Sequence, residues 1–218
     1  MADKMTCFSG HRIIVAGIGP GNPDYMVPEA QKAIRNAKVL VGGSRALSQF
    51  GSKVEGQATM AIKGDIVAVM DFIAEKLQED DVVTMVSGDP GYFSLLDALR
   101  RYFPEEIIRV IPGISSMQLA FARLALPWHE ADLLSFHGRR PGAEKLVYAA
   151  GRLLGMLTDR KFNSCTIPRL LVEMGWPKET ELAICTRLSY DDEQIIRTTL
   201  AGAADHEAYG HCILVVKA

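Results

Sequence analysis

The sequence predicts an α/β fold built from two α/β domains. Short apolar runs alternate with helical spacings through the first half of the chain, which is the pattern of a mostly parallel sheet covered by helices. Three of those runs end in turns rich in glycine and proline. The second half changes character, with fewer helical spacings and apolar runs close enough to pair as neighbouring strands. The change falls near Leu126-Pro127, so a mostly parallel domain is expected over residues 1–126 and a smaller mixed-sheet domain over 127–218.

In chain order, Arg12 to Ile18 reads as a buried strand. Pro28 to Ala37 carries Ala30, Ala33, Ile34 and Ala37 at helical spacing, with Pro28 at the helix start. Lys38 to Val41 is a second strand, stopped by Gly42-Gly43, and Ala58 to Ile62 a third. Asp65 caps a helix to Leu77, with Ile66, Val69, Met70, Ile73 and Leu77 on one face. Val82 to Val86 is a strand, Ser94 to Tyr102 a helix, Ile107 to Ile111 a strand and Ser115 to Leu124 a helix. Beyond the boundary, Leu133 to Phe136 is a strand leading into the basic loop His137-Gly138-Arg139-Arg140-Pro141-Gly142, and a helix is expected to follow. Strands are then expected at Leu153 to Leu157, Glu181 to Arg187, Ile195 to Thr199 and Cys212 to Val216, with a helix at Pro168 to Met174.

Composition narrows the function classes. The chain has 218 residues, 48% of them hydrophobic, and 24 Lys+Arg against 26 Asp+Glu give a formal net charge of -2. That balance fits a globular protein and not a disordered one. It also lacks the basic excess that general nucleic-acid binding needs. No run reaches the roughly 18 apolar residues of a membrane span, and Met1 to His11 lacks the apolar core of a signal peptide, so a cytoplasmic protein is expected. Cys7, Cys165, Cys185 and Cys212 form no CxxC pair and read as reduced thiols, with no metal site.

In a parallel sheet, ligands bind where loops leave the carboxyl ends of strands. Gly17-Ile18-Gly19-Pro20-Gly21-Asn22-Pro23 follows the first strand. It departs from a dinucleotide fingerprint at Asn22, and the second strand ends without an acidic residue for a ribose, so a nicotinamide cofactor is not expected. No GxxxxGK[ST] loop is present. Ser87-Gly88-Asp89-Pro90-Gly91-Tyr92-Phe93-Ser94 places a carboxylate at a strand end, which suits an ammonium or hydroxyl group but equally suits a helix cap. Pro112-Gly113-Ile114-Ser115-Ser116 offers two hydroxyls at a helix start, where plain capping is the stronger reading.

Taken together and in this order, the GxGPG turn, the GDPxxF-type loop and the PGISS turn resemble the tetrapyrrole methylase family. Pro112 to Ala122, Leu133 to Arg139, Leu157-Thr158-Asp159 with Asn163-Ser164, and Leu188 to Glu193 resemble the subgroup that methylates C5 of a corrin precursor. The resemblance implies two α/β domains of class III methyltransferase type, with S-adenosylmethionine in the cleft between them. It implies methylation of cobalt-precorrin-7 at C5 in anaerobic cobalamin biosynthesis, by a homodimer, with C15 methylation and decarboxylation left to a separate protein. Matching the motifs makes Pro20, Gly88, Asp89, Tyr92, Ser115, Ser116 and Leu157 the expected cofactor contacts. Val27 stands where the family often has a capping Thr, and Cys165 where the subgroup often has proline.

The acceptor in such a reaction carries many carboxylates, which arginine pairs well. His137, Arg139 and Arg140 are therefore the expected substrate contacts, with Arg45, Arg123 and Arg187 weaker candidates. Asp89 and His137 are the expected acceptors for the proton lost from the methylated carbon, beside solvent. Trp128 and Trp176 read as core or interface rather than ligand stackers. Two other readings remain open on sequence alone: a sister methylase acting at another ring position, and a binding protein that has lost methyl transfer.

Overall fold

A computed structural model describes residues 10–51 and 56–218. Cys7 lies outside the described residues. The chain divides into two compact units, Met1–Ser115 and Ser116–Ala218.

In the first unit, five parallel strands form one sheet: β1 (Ile13–Gly17), β2 (Val39–Gly42), β3 (Ala58–Ala61), β4 (Val82–Val86) and β5 (Ile108–Ile111), in the order β3-β2-β4-β1-β5. Every residue of β4 is buried, which is why Val82 to Val86 reads as an unbroken apolar run and not as an alternation. Strand β1 alternates between two cores: Ile13 and Val15 pack with Val69, Ile73 and Leu99, while Ala16 packs with Ala30, Ile34 and Met85. Helices therefore cover both faces. They are α1 (Pro28–Arg35), α2 (Ser44–Phe50), α3 (Ile66–Lys76) and α4 (Leu96–Tyr102). Pro28 opens α1, and Val27 at its N-cap makes no side-chain cap. Asp65 caps α3 by accepting from Ala68 N at 3.0 Å. Helix α2 was not expected from the sequence; it buries Ala46 alone and so shows no apolar stripe.

The second unit holds a mixed sheet: β6 (Asp132–Ser135), β7 (Leu153–Leu157), β8 (Glu181–Thr186), β9 (Gln194–Thr199) and β10 (Cys212–Lys217), in the order β6-β7-β10-β8-β9. Only β6 and β7 run parallel; the other neighbours are antiparallel. One face carries Leu134, Leu154, Met156, Ile184 and Leu214, which pack with Ile167 and Leu171 of α6 (Thr166–Glu173) and with the buried Trp176. Trp128, by contrast, is 44% exposed. The opposite face receives α5 (Ser116–Leu124), which packs on β7 and β10.

Helix α5 packs onto the second sheet, and the compact units divide after Ser115. One expectation is corrected. The helix expected after Gly142 is a single 3-10 turn at Ala143–Lys145. The reason is local. Arg152 donates to Lys145 O at 2.8 Å and Val147 O at 2.6 Å, and it pairs with Asp132 at 2.7 Å. Those carbonyls are drawn to a side chain and not to a helical ladder, while Leu146 is buried as an isolated anchor.

Gly155 is where α5 meets β7: a methyl group there would lie 2.7 Å from Met117 Sδ and 2.8 Å from Phe121 Cε2. Gly155→Val is expected to destabilise the protein by about 1–3 kcal/mol through overpacking. Urea unfolding measures this, and an unchanged midpoint refutes the close contact.

Candidate functional site

Strand β1 lies between β4 and β5, so the loops that leave these three strands at their carboxyl ends are neighbours. They are the three glycine-rich motifs of the sequence. Their backbones touch. A methyl group on Gly17 would lie 2.7 Å from Gly113 N and 2.8 Å from Gly88 O, and one on Gly113 would run into Gly88 O and sit 2.9 Å from Gly17 Cα. No side chain larger than hydrogen fits between the three strand ends. Gly19 and Gly88 are joined as an isolated bridge, Gly88 N donating to Gly19 O at 2.8 Å and Gly19 N to Gly88 O at 3.3 Å. Gly88 sits at φ 70°, which gives it a second reason to be glycine. Pro20 follows this bridge directly, and Asn22 caps the next turn by accepting from Asp24 N at 2.9 Å.

Asp89 ties the cluster together. Its Oδ1 accepts from Gly91 N at 2.8 Å and its Oδ2 accepts from Gly113 N at 3.0 Å, across to the loop after β5. Both carboxylate oxygens are thus in use within the protein. Ser94 Oγ accepts from Leu96 N at 3.1 Å and donates to Pro90 O, which settles its role as a local cap. Ser115 is buried and ends the first unit; Ser116 is the first residue of α5 in the second. Tyr92 N donates to Asp89 O at 3.1 Å, so a tight turn delivers its side chain inward. The Tyr92 hydroxyl is buried with no hydrogen-bond partner among the described residues, and burial pushes its pKa up to about 12. Its ring meets Phe93 edge-on at 4.8 Å, and Phe93 takes a left-handed φ of 50°.

The remaining expected residues lie in the second unit. Leu157 ends β7, and its carbonyl accepts from Phe136 N at 2.9 Å. His137, Arg139 and Arg140 are all exposed in the loop after β6. Among the described residues, Arg140 reaches only Met174 Sδ, at 3.9 Å. Two weaker candidates are engaged elsewhere: Arg123 pairs with Glu193 at 2.5 Å, and Arg187 pairs with Asp192 at 2.8 Å while stacking on Tyr190. Burial raises Cys185 to about 12 and Cys212 to about 11, so neither is a thiolate at neutral pH. Among the described residues, no group of three or more His, Cys, Asp or Glu is placed to hold a metal ion.

One residue carries more of this unit's loop geometry than its place in the sequence indicates. Asp159 accepts from Phe162 N at 2.6 Å, Lys161 N at 2.8 Å and Gly138 N at 2.9 Å. The backbone N–H groups of Phe162 and Gly138 hold its pKa below the usual carboxylate value. Nothing in the spacing of Gly138 and Asp159 signals the bond between them; it follows from the parallel pairing of β6 with β7.

The first unit also has a groove of about 510 Å³ at the opposite, amino ends of its strands. Its charges are mutually paired: Lys38 with Asp80 at 2.7 Å, Arg109 with Glu29 at 2.5 Å, and His11 beside Asp81 at 3.5 Å. These pairs are solvent-exposed and individually weak; the carboxyl-end loops are the better candidate because ligands bind where loops leave the carboxyl ends of parallel strands.

Two outcomes are expected for Tyr92→Phe. At neutral pH the variant matches or exceeds the wild type in stability, by up to about 1 kcal/mol, because an unpartnered buried hydroxyl is removed. At high pH the sign is set by a folded pKa above the unfolded one. The hydroxyl's contribution to wild-type stability is constant below pH 10 and falls as pH rises toward 12, so the variant's advantage grows over that range. Unfolding temperatures recorded from pH 8 upward should fall less steeply for the variant than for the wild type. Parallel curves remove the buried hydroxyl from this account.

Comparison with known proteins identifies the family. The family described as Tetrapyrrole (Corrin/Porphyrin) Methylases matches residues 12–204. The cobalt-precorrin-7 C(5)-methyltransferase of Salmonella typhimurium is 34% identical over 163 residues, 75% of this chain and 79% of that protein. Among solved structures, the precorrin-6Y methylase of Archaeoglobus fulgidus superposes with a TM-score of 0.68 at 24% identity, covering 95% of this chain and 97% of that one. The uroporphyrin-III C-methyl transferase of Thermus thermophilus, solved with S-adenyl homocysteine, gives a TM-score of 0.70 at 18% identity, covering 94% of this chain and 92% of that one. The match over residues 12–204, carrying all three glycine-rich loops in their order along one sheet, establishes that this chain belongs to the tetrapyrrole (corrin/porphyrin) methylase family.

Proposed function

We propose that the protein is an S-adenosylmethionine-dependent methyltransferase that methylates cobalt-precorrin-7 at C5 in anaerobic cobalamin biosynthesis. The observation that carries the reading is the convergence of Gly17, Gly88 and Gly113 at adjacent strand ends, tied by Asp89. The names of the relatives choose the substrate within the family.

The residues present fit the cofactor. The backbones of three loops lie bare of side chains at their meeting point, and the buried Tyr92 hydroxyl is left with a hydrogen bond to make. Pro20, Gly88, Asp89, Tyr92, Ser115 and Ser116 would hold it, and Leu157 would supply main-chain groups. When bound, the sulfonium supplies an activated methyl group for in-line displacement by an electron-rich ring carbon. The protein's part is then to orient the two reactants and exclude water. Asp89 contributes by fixing the loops, since both its oxygens already accept backbone N–H groups. That leaves His137 or solvent as the better proton acceptor. His137, Arg139 and Arg140 would receive the carboxylates at the rim of the tetrapyrrole.

Among the described residues no helix is long and apolar enough to cross a membrane. The reading further includes a cytoplasmic homodimer and a separate protein for C15 methylation and decarboxylation; light scattering on the purified protein tests the dimer.

The decisive experiment incubates the protein with S-adenosylmethionine and cobalt-precorrin-7. Mass spectrometry should find one added methyl, and NMR should place it at C5. A methyl at another position makes the protein a sister methylase. Cofactor binding by calorimetry without transfer to any corrin intermediate makes it a binding protein. Arg139→Ala is expected to raise KM for the tetrapyrrole about tenfold, the scale of one charge-assisted hydrogen bond, with kcat within about twofold. An unchanged KM removes Arg139 from the substrate site.

A further inference from the structure

The loop that carries His137, Arg139 and Arg140 has few bonds of its own. Within it, His137 N donates to Ser135 Oγ at 3.2 Å and, among the described residues, Arg140 meets only a thioether sulfur. All three basic side chains are exposed. A loop of this kind presents a definite array of charges only if something outside it fixes its backbone. The structure supplies one such fixture. Asp159, two residues beyond the end of β7, bonds Gly138 N at 2.9 Å with the same carboxylate that accepts from Lys161 N and Phe162 N. Asp159 N in turn donates to Phe162 O at 2.9 Å, so the carboxylate sits on a closed turn of its own. Gly138 has φ 75° and open space around its Cα, so the glycine is required by the backbone turn and not by crowding. That turn points its N–H at Asp159.

We propose that Asp159 is the positioning residue of the basic loop, fixing through Gly138 the place where Arg139 and His137 meet an anionic substrate, a role that rests on the substrate reading given above. Asp159 does not touch the substrate. A carboxylate next to a site for a polyanion would ordinarily repel it, at a cost that grows as the surroundings dry. Here the negative charge faces three backbone N–H groups and also feels the imidazole of His137. The arrangement gives the loop a rigid anchor without spending an arginine on it, so Arg139 stays available: it has no ion-pair partner among the described residues.

The test compares Asp159→Ala, Asp159→Asn, Arg139→Ala and the Asp159→Ala/Arg139→Ala double variant in the full-length protein. Four readouts are taken: KM for cobalt-precorrin-7, KM for S-adenosylmethionine, kcat, and hydrogen-exchange protection of the Gly138 amide. Asp159→Ala should abolish that protection and raise the tetrapyrrole KM about tenfold. The cofactor KM and kcat should stay within about twofold. Asp159→Asn, which keeps one acceptor oxygen, should recover part of the tetrapyrrole KM. The double variant should be worse than Arg139→Ala alone by much less than the tenfold effect of Asp159→Ala in the wild type, because only His137 is then left for the loop to position. Additive effects in the double variant overturn the proposal, as does a parallel loss of kcat and of both KM values, which would mark a general scaffold role. If Arg139→Ala raises the tetrapyrrole KM and Asp159→Ala does not, the substrate reading stands and the positioning role falls. If the wild type binds no tetrapyrrole by absorbance titration, the substrate reading fails and the positioning role fails with it.

Discussion

The first unit depends on three backbones approaching more closely than any side chain permits. Gly17, Gly88 and Gly113 lie at the ends of β1, β4 and β5, and the sheet places these strands side by side. The contact is possible because the strand order puts β1 between the other two. It is kept in register by the Gly19–Gly88 bridge and by Asp89, whose carboxylate spans from its own loop to Gly113. Steric exclusion, strand order and one bridging carboxylate thus converge at one edge of the sheet. A family defined by positioning an activated donor needs such an edge more than it needs a nucleophile.

Carboxylates do comparable work in both units. Asp89 accepts from two backbone amides belonging to different loops, and Asp159 accepts from three. In each case backbone N–H groups are the carboxylate's hydrogen-bond partners, and the acid fixes loop geometry. Elsewhere in the second unit, arginines perform the mirror task. Arg152 draws in the carbonyls of Lys145 and Val147, and Arg123 anchors Glu193, which accepts from Ser189 N at 2.7 Å beside the left-handed φ of 71° at Ser189.

Strands and the main helices were legible because burial leaves a mark on composition. Val82 to Val86 and Leu153 to Leu157 are continuous apolar runs, and both became strands with those limits. Asp65 could be read as a cap because capping is local. Two local features escaped reading: helix α2 has no apolar stripe to betray it, and the segment after Gly142 loses its helix to bonds from Arg152. The rest depends on contacts distant in sequence. The glycine loops could be found in the sequence as motifs, and Asp89 read either as a carboxylate for a ligand or as a helix cap, but its bond across to the loop after β5 could not be read. Its partner at Gly113 lies beyond a helix and a strand, and only the sheet order brings the two together. The Gly138–Asp159 bond is hidden for the same reason, and so is the packing of α5 on the second sheet.

Strand order also constrains how the chain comes to be folded during synthesis. Strand β1 emerges first, yet its register partners are Val82 in β4 and Ile108 in β5, so it waits unpaired while most of its unit is made. The second unit is different: β8 and β9 are joined by a short loop and can zip together as soon as they leave the ribosome. Because each unit is an unbroken stretch of chain, the first has all five of its strands before any strand of the second emerges. The slow step of vectorial folding therefore belongs to the unit that carries the glycine loops, and the last strand to arrive there, β5, is the one that brings in Gly113.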